Sequence, residues 1–373
     1  MTRLYSMHAW FGLVLAMAMT IPGESADWTT FRGSADCQGR SASKLPDSLD
    51  KLWEFRVEKG AFEGTPIIVG DRVYIGDLDG EAYCLRLQDG EVVWKQESDS
   101  GYIASPAYHD DVVIFANYDG MVLAFRASDG EPLWNFETKA QIDSGANFFG
   151  DDALITSEDG SLYALDLKSG KLHWKYETGD QLRCSPSIAN QRTFLGGCDG
   201  QLHIVDVTTG KAAGEKVPLG GPTGSTPAAM NQLIVVPTHG GPILGIDARN
   251  GKVVWNYNDT ERSPEVKSSP ALWGNTAFVT TRNRRLLALD VETGALQWEA
   301  ILRKRSDSSP IVCEGKVYVG AADGRLYAFD AKNGKEVWVK EFQGAFAGSP
   351  AIAHGKLLIA TDKGSVFCLG AKP

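Results

Sequence analysis

The segment AFDAKNGKEVW, Ala328 to Trp338, has six relatives standing in register with it, and this repetition restricts the fold more than any other feature. The other copies close at Trp94, Trp134, Trp174, Gly214, Trp255 and Trp298. Each carries a glycine at the same place: Gly90, Gly130, Gly170, Gly210, Gly251, Gly294 and Gly334. A glycine preceded by a small polar or charged residue tolerates the positive φ of a tight hairpin connection, so each copy reads as a β-hairpin ending on an aromatic residue. An isolated Trp53 precedes the first copy, and successive positions of the series are 40 to 43 residues apart.

Two further landmarks keep the same period. One is Thr65-Pro66, Ser105-Pro106, Ser144-Gly145, Ser185-Pro186, Thr226-Pro227, Ser269-Pro270, Ser309-Pro310 and Ser349-Pro350. The other is Asp79-Gly80, Asp119-Gly120, Asp159-Gly160, Asp199-Gly200, Gly240-Gly241, Arg284-Arg285, Asp323-Gly324 and Lys363-Gly364. Both landmarks count eight. A unit of about 40 residues holding four short strands is one blade of a β-propeller. The chain is therefore expected to be all-β, an eight-bladed propeller of four-stranded antiparallel blades. Trp53 has no complete blade before it, and the last unit lacks a Trp strand. Pairing the two closes the ring and removes the open sheet edge.

The expected domain plan has three parts. Residues 1–25 read as a signal peptide, with Arg3 ahead of an apolar run from Trp10 to Ile21 and small residues at Gly23 and Ser25. Retention of this segment as an anchor is the alternative. Residues 26–50 read as an extended arm, and 51–373 as the propeller. The mature chain is thus expected to be exported, periplasmic or envelope-associated or secreted, without a membrane span, and monomeric. A net charge of −10 argues against nucleic acid as a partner. The six cysteines form no Cys-x-x-Cys pair. A hairpin turning at Gln191 would bring Cys184 and Cys198 across neighbouring strands, where a disulfide could form.

The pattern A-x-D-x-x-x-G-x-x-x-W resembles the tryptophan-docking repeat of the pyrroloquinoline-quinone propeller superfamily, and the segment DWTTFRG resembles an opening found on exported members. That resemblance implies one of two functions. The quinoprotein dehydrogenases oxidise alcohols or sugars with pyrroloquinoline quinone and calcium; the BamB-like branch is non-enzymatic and serves envelope assembly. The dehydrogenases usually carry adjacent cysteines against the quinone, and this chain has none. Its repeats are close to minimal in length, leaving no insertion to build a substrate pocket. The reading adopted is a non-catalytic scaffold that binds envelope or secreted proteins, with no cofactor, no metal and no catalytic residue. A quinone-binding protein or dehydrogenase is the alternative.

Three sets of residues follow from the repeat. Trp53, Trp94, Trp134, Trp174, Trp255, Trp298 and Trp338 are expected to pack between blades. The residue three places before each Pro landmark should line the channel mouth, which gathers Glu63, Arg183, Lys267 and Asp307, with Ile103, Ile142, Gly224 and Ala347 between them. Arg282, Arg284 and Arg285 at one hairpin turn, with Arg303, Lys304 and Arg305 in the next linker, should share a face and form a basic patch for an acidic partner. A polymer-binding surface would need exposed linker aromatics, for which only Tyr102, Phe148 and Phe346 are available.

Overall fold

A computed structural model describes residues 27–372 apart from Thr260, Ser263 and Pro264. The segment read from the sequence as a signal peptide, residues 1–25, lies outside the described residues. Eight antiparallel sheets follow one another along the chain. The first runs Ile67–Val69, Arg72–Gly76, Glu81–Arg86 and Val92–Glu97. Blades 2 to 7 repeat this order, with the outer strand of blade 4 split in two and Arg40–Ser41 of the arm added in parallel to Ile311–Cys313 of blade 7. Blade 8 is built from Ala351–Ala353, Lys356–Ala360 and Ser365–Gly370, and the N-terminal strand Asp50–Arg56 pairs antiparallel with its last strand, Trp53 opposite Cys368. No helix occurs among the described residues. The middle strands are buried on both faces, as strands sandwiched between neighbouring blades must be.

A β-bulge aims each tryptophan. In blade 1 Cys84 pairs with Trp94 but Leu85 pairs with Val92, so Val93 is the extra residue. The same shift precedes Trp53, Trp134, Trp174, Trp255, Trp298 and Trp338. The bulge turns the indole towards the following blade and leaves the skipped side chain outside, so Val93, Leu133, Val254 and Val337 are exposed. The turn glycine of the following blade receives the ring. A Cβ on Gly90, Gly130, Gly170, Gly210, Gly294 or Gly334 would stand only 2.5–2.7 Å from the indole of Trp53, Trp94, Trp134, Trp174, Trp255 or Trp298. The indole Nε1 then donates to the next blade: Trp53 to Leu87 O, Trp94 to Ala127 O, Trp134 to Leu167 O, Trp255 to Val291 O and Trp298 to Ala331 O, at 2.6–3.1 Å. Trp338 instead lines a small cavity together with Pro46 and Leu49 of the arm. Trp53, Trp94 and Trp255 are buried; the other four are only partly so. A well-buried ring contributes on the order of 2–3 kcal/mol by area.

The arm is more than a tether. Between Trp28 and Ser41 it visits the first strand of every blade in order. Trp28 exchanges two backbone hydrogen bonds with Ile68, and Thr29 O accepts from Tyr108 N. Ala35 O accepts from Asn147 Nδ2 and Ile188 N, Asp36 O from Ala229 N, Gln38 O from Leu272 N and Gly39 O from Val312 N. Ser41 Oγ donates to Ile352 O at 2.8 Å. One circuit of the arm thus closes one end of the channel. Its centre is Arg32, fully buried, whose Nη2 donates to Pro270 O and Pro310 O. Gly39 has to lack a side chain, because a Cβ there would fall 2.0 Å from that guanidinium.

Three expectations are corrected. Cys184 and Cys198 are free thiols: Leu182 bridges Gly197, so Cys198 lies beyond the ladder at the hairpin tip instead of opposite Cys184. In blade 3 the landmark is Gly145-Ala146, one residue later than Ser144-Gly145, since the first strand there is Asn147–Phe149. Tyr102 and Phe346 are core residues with 0% and 2% exposure, which removes two of the three aromatics a polymer-binding face required.

Candidate functional site

The open end of the channel is a cavity of about 170 Å³. Its outer ring is Glu63, Ile103, Asp143, Arg183, Gly224, Lys267, Asp307 and Ala347, with Phe31 of the arm as its floor. Glu63, Arg183, Lys267 and Asp307 therefore meet in one place. In blade 3 the mouth residue is Asp143, while Ile142 is fully buried, the consequence of the one-residue offset. Adding 40 to Ser105 and subtracting 40 from Ser185 both give 145, so the offset was readable from the period.

Beneath the mouth lies a ring of hydroxyls. Thr65 N donates to Ser105 Oγ, Ser185 N to Thr226 Oγ1, Thr226 N to Ser269 Oγ, Ser269 N to Ser309 Oγ, Ser309 N to Ser349 Oγ and Ser349 N to Thr65 Oγ1, at 2.9–3.0 Å. Each bond crosses from one blade to the next and satisfies a backbone N–H at the start of an inner strand. The ring is interrupted at Gly145, where Phe31 Cβ stands 3.4 Å from the place of the missing Cβ. Ser185 Oγ, buried, has no partner among the described residues.

Most of the mouth's charges are already engaged. Arg183 Nε lies 2.8 Å from Glu158, and the Asp143 carboxylate is a neighbour of Glu158. Burial and that neighbouring carboxylate raise the Glu158 pKa against the opposing pull of Arg183. Asp307 is gripped by Arg282 through Nε and Nη2 at 2.8 and 2.9 Å. Glu63 and Lys267 have no ion pair among the described residues. His239 accepts from Gly224 N at 3.2 Å; burial and the nearby Lys267 lower its pKa, so it is neutral at physiological pH. On the floor, burial pushes the Arg32 guanidinium down to about 10 and the Cys37 thiol up to about 12. Such a thiol is not a nucleophile.

The sequence profile described as outer membrane protein assembly factor BamB matches residues 46–147, 119–268 and 258–372. The chain belongs to this family. Among curated proteins, an 82-residue stretch is 29% identical to the quinohemoprotein alcohol dehydrogenase ADH IIB of Pseudomonas putida, covering 20% of this chain and 12% of that enzyme. Among solved structures, BamB of Moraxella catarrhalis superposes with a TM-score of 0.75 at 18% identity, over 87% of this chain and 98% of that one. The quinohemoprotein alcohol dehydrogenase ADHIIG of Pseudomonas putida HK5 superposes with a TM-score of 0.80 at 13% identity, over 94% and 81%. At these identities the superpositions establish the fold, which both branches share.

The residues at the mouth do not fit a quinone held with calcium. No group of three His, Cys, Asp or Glu side chains converges as a cation site among the described residues. The six cysteines are separate thiols, and burial pushes five of them, Cys37, Cys84, Cys184, Cys313 and Cys368, up to about 12. The cavity is smaller than the 300–1,000 Å³ or so of ordinary ligand pockets.

The basic patch is half consumed by carboxylates. Arg285 is buried and binds Asp259 and Glu299. Arg282 holds Asp307 and Glu265, and Arg305 lies 3.9 Å from Asp307. Arg284, Arg303 and Lys304 are exposed and unpaired among the described residues. The turn and the linker do share a face, since Leu302 N donates to Arg284 O. The burial of Arg285 against Asp259 and Glu299 was invisible in the sequence, because a cation and its carboxylate on neighbouring segments are remote in the chain.

Proposed function

We propose that this protein is an exported, non-catalytic propeller scaffold that binds protein partners in the cell envelope. The observation that carries the reading is the channel. Its floor is sealed by the protein's own arm around Arg32, and its mouth is a small cavity where Arg183 and Asp307 are already bound by Glu158 and Arg282. What remains available is outer surface, which is where a scaffold acts. Membership of the BamB-described family supports the same reading. The docking face is Arg284, Arg303 and Lys304, with the exposed Ile301 beside them. Three cations around an apolar side chain suit an acidic partner with an apolar contact.

Cross-linking and co-purification from the native envelope fraction test the proposal. The wild type should retain envelope proteins that the double variant Arg284→Glu, Arg303→Glu fails to retain. Equal recovery by both removes the docking face from the account.

A further inference from the structure

The seam between blades 4 and 5 is built differently from the others. Gly214 stands at the tryptophan position, and the outer strand of blade 4 is broken into Lys211–Ala212 and Val217–Pro218. Two elements of the usual tryptophan socket remain in blade 5. The turn glycine is Gly251, where an added Cβ would meet Val217 Cγ2 at 3.0 Å instead of an indole. The acceptor is Ala248 O, equivalent to the Ala127 carbonyl that binds Trp94 Nε1. Here it accepts from Arg192 Nη1 at 2.9 Å. Phe194 holds the place in blade 4 from which Tyr74 packs against Trp94 in blade 1.

Val217 stands over Gly251, and Ala248 O lies outside its reach among the groups that line a neighbouring cavity. That cavity, of about 340 Å³, is lined by Ala189, Asn190, Arg192, Phe194, Ala248 and Arg249. It shares Gln232 and Arg249 with a cavity of about 460 Å³ on the next seam, whose lining includes Leu233 and the exposed Val254. Both volumes fall within the range of ligand pockets, unlike the channel mouth.

We propose that the blade 4–blade 5 socket receives the tryptophan side chain of a partner polypeptide, with the adjoining cavity taking apolar residues that flank it. Six of the other seven seams of this ring hold the molecule's own tryptophan on a turn glycine, so the repeat itself specifies the shape of the occupant. The backbone acceptor is retained, and it is held by a guanidinium that can stack on an aromatic face. Aromatic anchors entering preformed pockets are also what dominates protein interfaces. This inference deepens the scaffold reading, but it can fail alone, because its test concerns one socket while retention of envelope proteins tests the scaffold.

N-acetyl-tryptophanamide, N-acetyl-leucinamide and free indole would be titrated into the purified protein by calorimetry. Saturable one-to-one binding of the blocked tryptophan, at least tenfold tighter than the blocked leucine, supports the proposal. Ala189→Phe should weaken it at least tenfold with the thermal transition retained, and Gly214→Trp should abolish it while raising Tm. Absence of saturable binding to the wild type, or binding unchanged in both variants, overturns the proposal. Free indole binding as tightly as the blocked tryptophan would assign the socket to a small aromatic molecule and overturn the partner.

Discussion

The two ends of the channel solve the same problem in opposite ways. Both must satisfy the first turns of eight inner strands that converge on one axis. At the floor the solution is the arm, which brings a carbonyl, an amide or a hydroxyl to each blade in turn and sets a single guanidinium on the axis. At the mouth hydroxyls bridge the blades at every seam except the two beside Gly145, and charged side chains line the opening. The floor depends on one continuous segment, so one change there should reach all eight blades. The mouth is assembled from independent pieces, so one change should stay local.

That contrast orders the expected effects. Arg32→Ala should be the most damaging change, costing about 3 kcal/mol in equilibrium denaturation, because it removes a charged donor from two buried carbonyls and leaves a cavity. A cost below about 1 kcal/mol would mean the floor is not centred on Arg32. Ser309→Ala should cost about 1 kcal/mol by leaving Ser269 N–H unpaired, whereas Ser185→Ala should be near neutral, its hydroxyl having no donor to lose. Equal losses at the two serines would contradict the break at Gly145.

The smallest effect concerns pH. Glu158 has a raised pKa in the folded state, so the folded chain holds its proton more tightly than the unfolded chain. Stability linked to this group is therefore fully present below the unfolded value near 4.3 and lost as pH rises through the raised folded value. Tm should fall slightly over that interval, and Glu158→Gln should flatten the slope. Asp247, held down to about 2 chiefly by its hydrogen bonds with Arg249, acts in the opposite sense. Its contribution is present above the unfolded value near 3.9 and is lost as pH falls towards 2.

How much of this could be read in advance follows from what repeats. A period of about 40 residues repeated eight times encodes blade number, ring closure by Trp53 and the packing of six of the seven indoles on a turn glycine, because each depends on local hairpin chemistry. The convergence of Glu63, Arg183, Lys267 and Asp307 was legible for the same reason. Asp143 was missed where a glycine replaced the hydroxyl landmark and shifted the frame by one. Residues 27–41 read only as an arm, since their bonds go to eight distant strands and impose no period on their own sequence. Gly214 was visible as the exception among seven repeats, but the substitution of Arg192 for an indole is a contact made in space.

If the channel serves structure and not quinone chemistry, the purified protein should take up no pyrroloquinoline quinone. The most direct test is to titrate the purified protein with pyrroloquinoline quinone and calcium, following cofactor absorbance and dye reduction with alcohols and sugars. The account predicts no saturable absorbance change and no substrate-dependent reduction. Stoichiometric uptake of the quinone with alcohol-dependent dye reduction would contradict it.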